Sequence, residues 1–355
     1  MGIVRIDRDS AQKALCLGPV RIPYATRGDG EKRSLVIAGI PLSYWRDPIE
    51  EVPYVKLLGK RISFFPSTRQ KHYRMRRHLS TRRCERILRK ELTPLLGYTP
   101  DLKNPKTFNE KINWLKLHHH DPLITTCCDK YAVKAYAAQR IGEEYVLPVL
   151  GCWKRPEEID FSRLPERFAL KVNWSSGYNI IVREKAALDI PAARAKLEQW
   201  LRPSSNSYYD MFNWGYKDMQ PVIYAEPYIE QIDGQVYDYK FYFSRGEFLY
   251  MFIATDRLGD HTLTYTFYGE DFQPLPFTYG HKPNAVPIPA MPGNLEKMLE
   301  LGKQLAEPFP FVRVDFYETA DDKIYLGEMT FCSGGGTLPF DPLIWDRKLG
   351  EKIQL

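Results

Sequence analysis

Two carboxylates interrupt an otherwise apolar strand pattern in FVRVDFYETADDKIYLGEMTF, residues 311–331. Val312, Val314 and Phe316 alternate with Arg313, Asp315 and Tyr317, so the second set shares one face of a strand. Glu328 follows 13 residues after Asp315, which suits the facing strand of a hairpin whose turn is TADDK. Two facing carboxylates repel, and one pKa rises, unless a cation joins them. A divalent ion with oxygen ligands resolves that cost; Mg²⁺ in particular takes one or two carboxylates plus substrate phosphates. Arg313 on the same face adds a fixed charge suited to phosphate or carboxylate. A salt-bridged surface hairpin would carry the same letters, so the pair alone leaves both readings open.

A second cluster lies in RFALKVNWSSGYNIIV, residues 167–182. A strand carries Lys171 near its end, a small-residue turn follows (Ser175, Ser176, Gly177), and a second strand returns. Such a turn allows close backbone approach, its N–H groups can cradle phosphate oxygens, and Lys171 adds a point charge. No GK[ST] opens a helix, so this is not a Walker sequence. A third piece, VIYAEPYIEQIDGQVYDYKFY, runs a strand into Glu226-Pro227-Tyr228-Ile229. It then places Asp238 and Lys240 on one face of the next strand.

The rest of the chain must position these groups. Its 355 residues are 44% hydrophobic and 14% aromatic, enough for two or three domains or one elaborated domain. No stretch approaches the roughly 20 apolar residues of a membrane span. Residues 1–33 lack an apolar signal core, and the six cysteines show no CxxC pair or metal spacing. The expectation is a cytoplasmic protein with reduced thiols. The net charge of +6 is uneven: Lys60–Glu91 holds 12 Lys/Arg against Glu85 and Glu91. That run reads as a solvated helix face, or as a peripheral contact through 67–92 with anionic lipid or a lipid-linked substrate. Without a recognition helix, zinc finger or aromatic RNA motif, no nucleic-acid partner is expected.

Residues 1–66 contain a weak repeat (ALCLGPVRIPY, SLVIAGIPLSYW, YVKLLGKRISFF) with glycines at 18, 39 and 59, suited to small hairpins. A basic helical linker over 67–104 follows. From 105 onward the pattern is α+β with mostly antiparallel sheet. Thr107 and Glu110 have capping-box spacing, Gly142 is a helix stop, and YVLPVLGCW reads as a strand. The HHH run at 118–120 points its rings in different directions on a helix, which disfavours a metal site.

From about Thr107 onward the sequence resembles the TupA-like branch of the ATP-grasp superfamily. The resemblance is carried by TFNEKINWLKL, DKYAVKAY, RFALKVNWSSGYNIIV, DYKFYFSRGE, FPFVRVDFYE, IYLGEMTF and FDPLIWDRKLG, in the family's order. It implies an ATP-grasp catalytic domain over 105–355, with two α+β subdomains gripping ATP between antiparallel sheets. It further implies that Lys130 and Lys171 contact ATP phosphates, with Ser175, Ser176 and Gly177 closing over them. Glu226 and Ile229 would sit at the adenine hinge, with Asp238 near the ribose or metal. Lys240 and Arg313 would be catalytic, near the transferring phosphate and the acyl phosphate. Asp315 and Glu328 would hold Mg²⁺, and Thr330 stands where a third ligand, usually Asn, is common. NWSSG replaces the family's more usual NHGSG, and SGGG after Cys332 replaces PGSG. Both departures fall where the acceptor would bind, which makes Trp174, Arg257, His261, Ser333 and Gly334 acceptor candidates.

The implied reaction is ATP- and Mg²⁺-dependent amide formation between a sugar (uronic acid) carboxylate and an amine or amino acid, in surface polysaccharide biosynthesis. The alternatives are a glycosyltransferase, for which no DxD segment is present, a glycan kinase using the same ATP residues, and a non-catalytic binding protein.

Overall fold

Each glycine-centred repeat of the N-terminal segment becomes a pair of antiparallel strands. Seven strands run in sequence: Val4–Asp7 (β1), Ala14–Leu17 (β2), Val20–Arg27 (β3), Lys32–Ile37 (β4), Ile40–Arg46 (β5), Pro53–Leu57 (β6) and Lys60–Ser63 (β7). Each pairs with the next in one sheet, and the repeats supply β2–β3, β4–β5 and β6–β7. The structure, a computed structural model, describes residues 68–355 except 175, 230–237, 256–262 and 320, together with the backbones of these strands. The chain divides into two units, Met1–Arg77 and His78–Leu355. The first contains the meander and helix Thr68–Arg76 (α1). Everything below concerns the second.

Helix Thr81–Leu96 (α2) buries Cys84, Leu88, Leu92 and Leu96 at every fourth position. That stripe packs with Tyr208 and Phe212, while Arg82, Arg83, Arg86, Arg89 and Lys90 stay exposed. Helix Phe108–His118 (α3) starts at the expected capping box: Thr107 accepts from the Glu110 N–H, and Glu110 accepts from the Thr107 N–H. Helices Pro122–Cys128 (α4) and Val133–Ile141 (α5) follow, and α5 stops at Gly142, whose φ of +111° favours glycine. The strand expected over 145–153 shrinks to Gly151–Trp153 (β8), preceded by a short 3-10 turn at Glu143–Tyr145. Pro148 has no N–H to offer a ladder, which accounts for the late start.

Two sheets carry the candidate site residues. The first has four strands in order β10-β9-β11-β8, with Phe168–Val172 (β9), Asn179–Val182 (β10) and Ile223–Pro227 (β11). Helix Ile190–Trp200 (α6) contributes Leu197 and Trp200 to the core shared with Phe168, Leu170 and Val172. The short helix Tyr208–Met211 (α7) precedes β11. The second sheet has five strands in order β14-β13-β12-β16-β17. They are Asp238–Ser244 (β12), Glu247–Thr255 (β13), Thr264–Tyr268 (β14), Val312–Glu318 (β16) and Ile324–Thr330 (β17). A two-strand pair, Thr278–Tyr279 (β15) with Phe340–Asp341 (β18), and helix Ile344–Glu351 (α9) complete the unit.

Helix Leu295–Ala306 (α8) buries Met298, Leu301 and Leu305 in the core that also holds Phe241, Phe243, Val312, Val314 and Phe316. Each such side chain contributes roughly 1.5–3 kcal/mol on burial. Gly302 lies so close that a Cβ there would stand 2.5 Å from the Phe243 ring. The alternation that gives these residues to the core turns Lys240, Tyr242, Arg313 and Asp315 to the opposite face.

Candidate active site

Strand register sets the opening pair of acids on one rung. Lys240 of β12 pairs with Asp315 of β16, and Asp315 pairs with Glu328 of β17. The adjacent rung on the same face is Tyr242, Arg313 and Thr330. The pairing of β16 with β17 shifts after Asp315: Phe316 faces Leu326, leaving Gly327 as the extra residue of a bulge. Were the same residues paired without a bulge, residue 327 would oppose Asp315 and Glu328 would lie on the core face. A Cβ at 327 would meet the Tyr317 ring at 2.7 Å, so glycine suits the bulge.

Arg313 ties both rungs together. Its Nε donates to Asp315 Oδ1 at 2.6 Å and its Nη2 to Asp315 Oδ2 at 2.7 Å, a bidentate fork. Nη2 also donates to Glu328 Oε1 at 2.9 Å and Thr330 Oγ1 at 3.0 Å, and Thr330 in turn donates to Glu328 Oε1. Lys240 donates to Asp315 Oδ2 and lies 3.2 Å from Asp238 Oδ2. Lys130 completes the set, 3.2 Å from Glu328 Oε2. Three acids and three cations therefore balance, which answers how the sheet can hold two facing carboxylates. Burial pushes the Glu328 carboxyl up, but Lys130, Arg313 and Lys240 overcome it and hold it well below the usual range. Burial opposes the charge on Arg313, and Asp315 more than restores it.

A second acid sits on the other sheet. On β9 and β11, Lys171 pairs with Tyr224 and Ala169 with Glu226, so Lys171 and Glu226 share a face as diagonal neighbours. Glu226 is buried, with Lys171 Nζ 2.5 Å from Oε2 and Lys134 Nζ 2.5 Å from Oε1. Burial raises the Glu226 carboxyl, while Lys171 and Lys134 bring it below its ordinary value. Burial lowers Lys134, against the pull of Glu226.

One short segment feeds both clusters. Asp129 caps the turn into α5 by accepting from the N–H groups of Tyr131 and Ala132. Asn173, just past β9, donates to Asp129 Oδ2 at 2.6 Å and accepts from the Lys130 N–H at 3.0 Å through its carbonyl. So anchored, DKYAVK sends Lys130 to Glu328 and Lys134 to Glu226.

Residues 110–354 match the family model described as TupA-like ATPgrasp. The chain belongs to the TupA-like ATP-grasp family. Its α+β architecture of two antiparallel sheets is that of the ATP-grasp fold, and membership makes it an ATP-binding protein of that class. Among solved structures, an ADP complex of N5-carboxyaminoimidazole ribonucleotide synthetase is 16% identical, with a TM-score of 0.38 over 62% of this chain and 50% of that one. A D-alanine–D-alanine ligase from Bacillus anthracis complexed with ATP is 14% identical, with a TM-score of 0.35 over 58% and 55%. An L-amino acid ligase from Bacillus licheniformis is 12% identical, with a TM-score of 0.38 over 64% and 49%. The chain spans about half the length of these structures. No curated protein matches.

Within this TupA-like ATP-grasp domain, the structure brings together Lys130, Asp238, Lys240, Arg313, Asp315, Glu328 and Thr330, and separately Lys171 with Glu226. Ile229 follows β11, half-buried, while Ser176 and Gly177 form the exposed turn between β9 and β10, with Gly177 at φ +78°. Ser175, Arg257 and His261 lie outside the described residues. Ser333 is buried, its Oγ 2.7 Å from the Tyr242 hydroxyl and 3.4 Å from Arg313 Nη1, and Gly334 follows it with φ +55°. Trp174, an acceptor candidate from sequence, is buried. Its ring is 2% exposed in the core, and its indole N–H donates to the Trp200 carbonyl. In the His run, of which only His118 lies in α3, His118 packs on Trp114 and His120 stacks on Trp214. Among the described residues no group of three or more His, Cys, Asp or Glu side chains is arranged to hold a metal. No described helix is long and apolar enough to cross a membrane.

Lys134, Asn173 and Tyr242 were not singled out from sequence. The one available signal was Lys134 standing four residues after Lys130 in DKYAVK. Asn173 and Tyr242 act through contacts that only the fold defines.

Proposed function

We propose that this chain is an ATP- and Mg²⁺-dependent carboxylate–amine ligase that activates a sugar carboxylate as an acyl phosphate and joins it to an amine. Family membership supports ATP use and ligase-type chemistry. The sugar and the polysaccharide setting rest on the sequence resemblance. The observation that carries the reading is the Arg313 fork, which holds Asp315 and Glu328 on one rung beside Lys240.

The donor set suits Mg²⁺. Asp315 and Glu328 offer hard carboxylate oxygens from paired positions, and the Glu328 side chain is 29% exposed. The cluster is already charge-balanced, so a divalent cation is best accommodated together with an anion, as in a magnesium–nucleotide complex. Bound there, Mg²⁺ would neutralise charge developing on the transferring phosphoryl group. The chain's own cations do the rest. Lys171 and Lys134 would bind phosphate oxygens in competition with Glu226, and Lys130 in competition with Glu328. Lys240 and Arg313 would stabilise charge on the γ-phosphoryl group and the acyl phosphate, where losing one fixed donor costs about 10²–10³ in rate.

Calorimetric titration with a slowly hydrolysed ATP analogue plus Mg²⁺, beside UDP-sugar titrations, tests this. Magnesium-dependent binding weakened by Lys171→Ala and Asp315→Asn, followed by ADP release with a uronic acid and an amine, is expected. Heat from a UDP-sugar and none from the nucleotide would favour a glycosyltransferase. Phosphate appearing on a sugar hydroxyl would make the protein a kinase.

A further inference from the structure

The helix α3 carries a buried polar face that the proposed chemistry does not use. Asn109, Asn113 and Lys116 stand at i, i+4 and i+7, and all three are buried. Asn109 Nδ2 donates to the Leu338 carbonyl at 3.0 Å, Asn113 Nδ2 to the Gly336 carbonyl at 2.8 Å, and Lys116 Nζ to the Gly335 carbonyl. One helix face thus grips three carbonyls of the segment 335–338. Three glycines there, 334, 335 and 336, have φ of +55°, +64° and +61°, a left-handed run that other residues rarely adopt. A Cβ at 336 would stand 2.6 Å from Asn113 Nδ2, so glycine also permits the close approach to α3.

The ladder is itself held in place. Asp346 of α9 accepts from the Asn109 N–H at 2.9 Å, from Asn109 Nδ2 at 3.0 Å and from the Tyr98 hydroxyl at 2.7 Å. Asn113 Nδ2 also donates to the Asn109 carbonyl, and Asn113 Oδ1 accepts from Lys116 at 3.0 Å. At its other end the glycine segment begins at Ser333, whose hydroxyl meets Tyr242 and Arg313. The loop is therefore pinned between the catalytic arginine and a rigid helix. A lysine this buried is costly to keep charged. Burial pulls Lys116 down to about 8, with Cys332 the small opposing influence. A hydrophobic side chain would have packed at no such cost, so the retained amine points to a use.

We propose that α3 is a template for the acceptor side of the active site, with Asn109, Asn113 and Lys116 as positioning residues that fix the glycine loop 333–336 against Arg313. The assignment of this loop to the acceptor side rests on the ligase reading; the clamp itself does not.

Hydrogen exchange of peptides covering 332–338, measured by mass spectrometry on the full chain, tests it. Lys116→Met and Asn113→Leu should each speed exchange there at least tenfold, and Lys116→Arg should return it to within about threefold of wild type. Affinity for the Mg²⁺–ATP analogue should stay within threefold in all three variants. Unchanged exchange in Lys116→Met, or failure of Lys116→Arg to restore protection, overturns the proposal. So does a variant that loses nucleotide binding together with the loop, which would mark a general structural role. A wild-type protein that binds no nucleotide but shows the expected exchange pattern would instead overturn the ligase reading and leave the clamp standing.

Discussion

Lys130 and Lys134 stand four residues apart and serve different sheets: Lys130 Nζ lies 3.2 Å from Glu328 Oε2, and Lys134 Nζ 2.5 Å from Glu226 Oε1. A single turn at the start of α5 thereby joins the two acidic centres. Lys134→Met should weaken binding of the ATP analogue about 10-fold or more, with its magnesium dependence intact. Lys130→Met should also change the magnesium dependence, because it removes a counter-charge from Glu328. Titrations at two magnesium concentrations separate the two, and identical behaviour would count against separate roles.

The Glu226 cluster makes a prediction in acid. Its carboxyl is depressed in the folded protein below the ordinary glutamate value of 4.5. Its stabilisation is therefore fully present above that value and is lost as pH falls through the lower, folded-state value. Glu226→Gln should remove this contribution, lowering stability by about 3 kcal/mol near pH 7 by leaving two half-buried lysines without their counter-charge. Denaturant titrations from pH 7 to pH 3 should show a shallower acid limb in the variant. An equally steep limb would mean that other carboxylates, Glu328 first among them, control acid stability.

The bulge at Gly327 is open to a register test. Deleting Gly327 removes the extra residue, so Leu326 still faces Phe316 and Glu328 still faces Asp315, now in plain pairing. The deletion should therefore retain magnesium-dependent nucleotide binding. Gly327→Ala, which only crowds Tyr317, should retain it with a stability loss of about 1–3 kcal/mol. Loss of magnesium dependence in the deletion variant would mean that the bulge geometry itself, and not only the facing of Glu328 and Asp315, sets the site.

Thr330 bridges Arg313 and Glu328 through its hydroxyl. Thr330→Val keeps the shape and removes both bonds, so turnover should fall roughly 10-fold with nucleotide affinity little changed. Thr330→Asn, which restores a polar side chain, should recover part of the rate. Steady-state ADP release once an acceptor pair is found provides the readout.

Much of this site could be read in the sequence because strands advertise their faces. The alternation around Arg313 and Asp315 places them together whatever the partner strand, and TADDK marks the turn. The sequence does not show that Gly327 is an extra residue, since a glycine in a strand pattern announces a bulge no more than a weak spot. The ion pairing was also hidden. Lys171 read as a phosphate contact, and its partner Glu226 as part of a hinge, but their diagonal placement depends on the β9–β11 register. Trp174 becomes an acceptor candidate only because NWSSG departs from the family's usual NHGSG; the sequence does not show that its ring fills the core and that its N–H is satisfied by a backbone carbonyl 26 residues away. The motif residues of α3 signalled a capped helix correctly, while their inward polar face became meaningful only against the glycine loop.

The site is also built from pieces that leave the ribosome far apart in time. Lys240 waits for a partner 75 residues later, Asn113 for one 223 residues later, and Asn109 for one 237 residues later. The N-terminal meander needs only neighbouring strands, so its contacts can close as the chain emerges. The polar face of α3, by contrast, stays open until Asp346 has been synthesised, some tens of seconds behind α3 at ordinary elongation rates. Until then α3 presents a polar stripe with nothing to grip, so nascent chains and C-terminal truncations ahead of Asp346 are the forms most exposed to misassembly and to chaperone dependence.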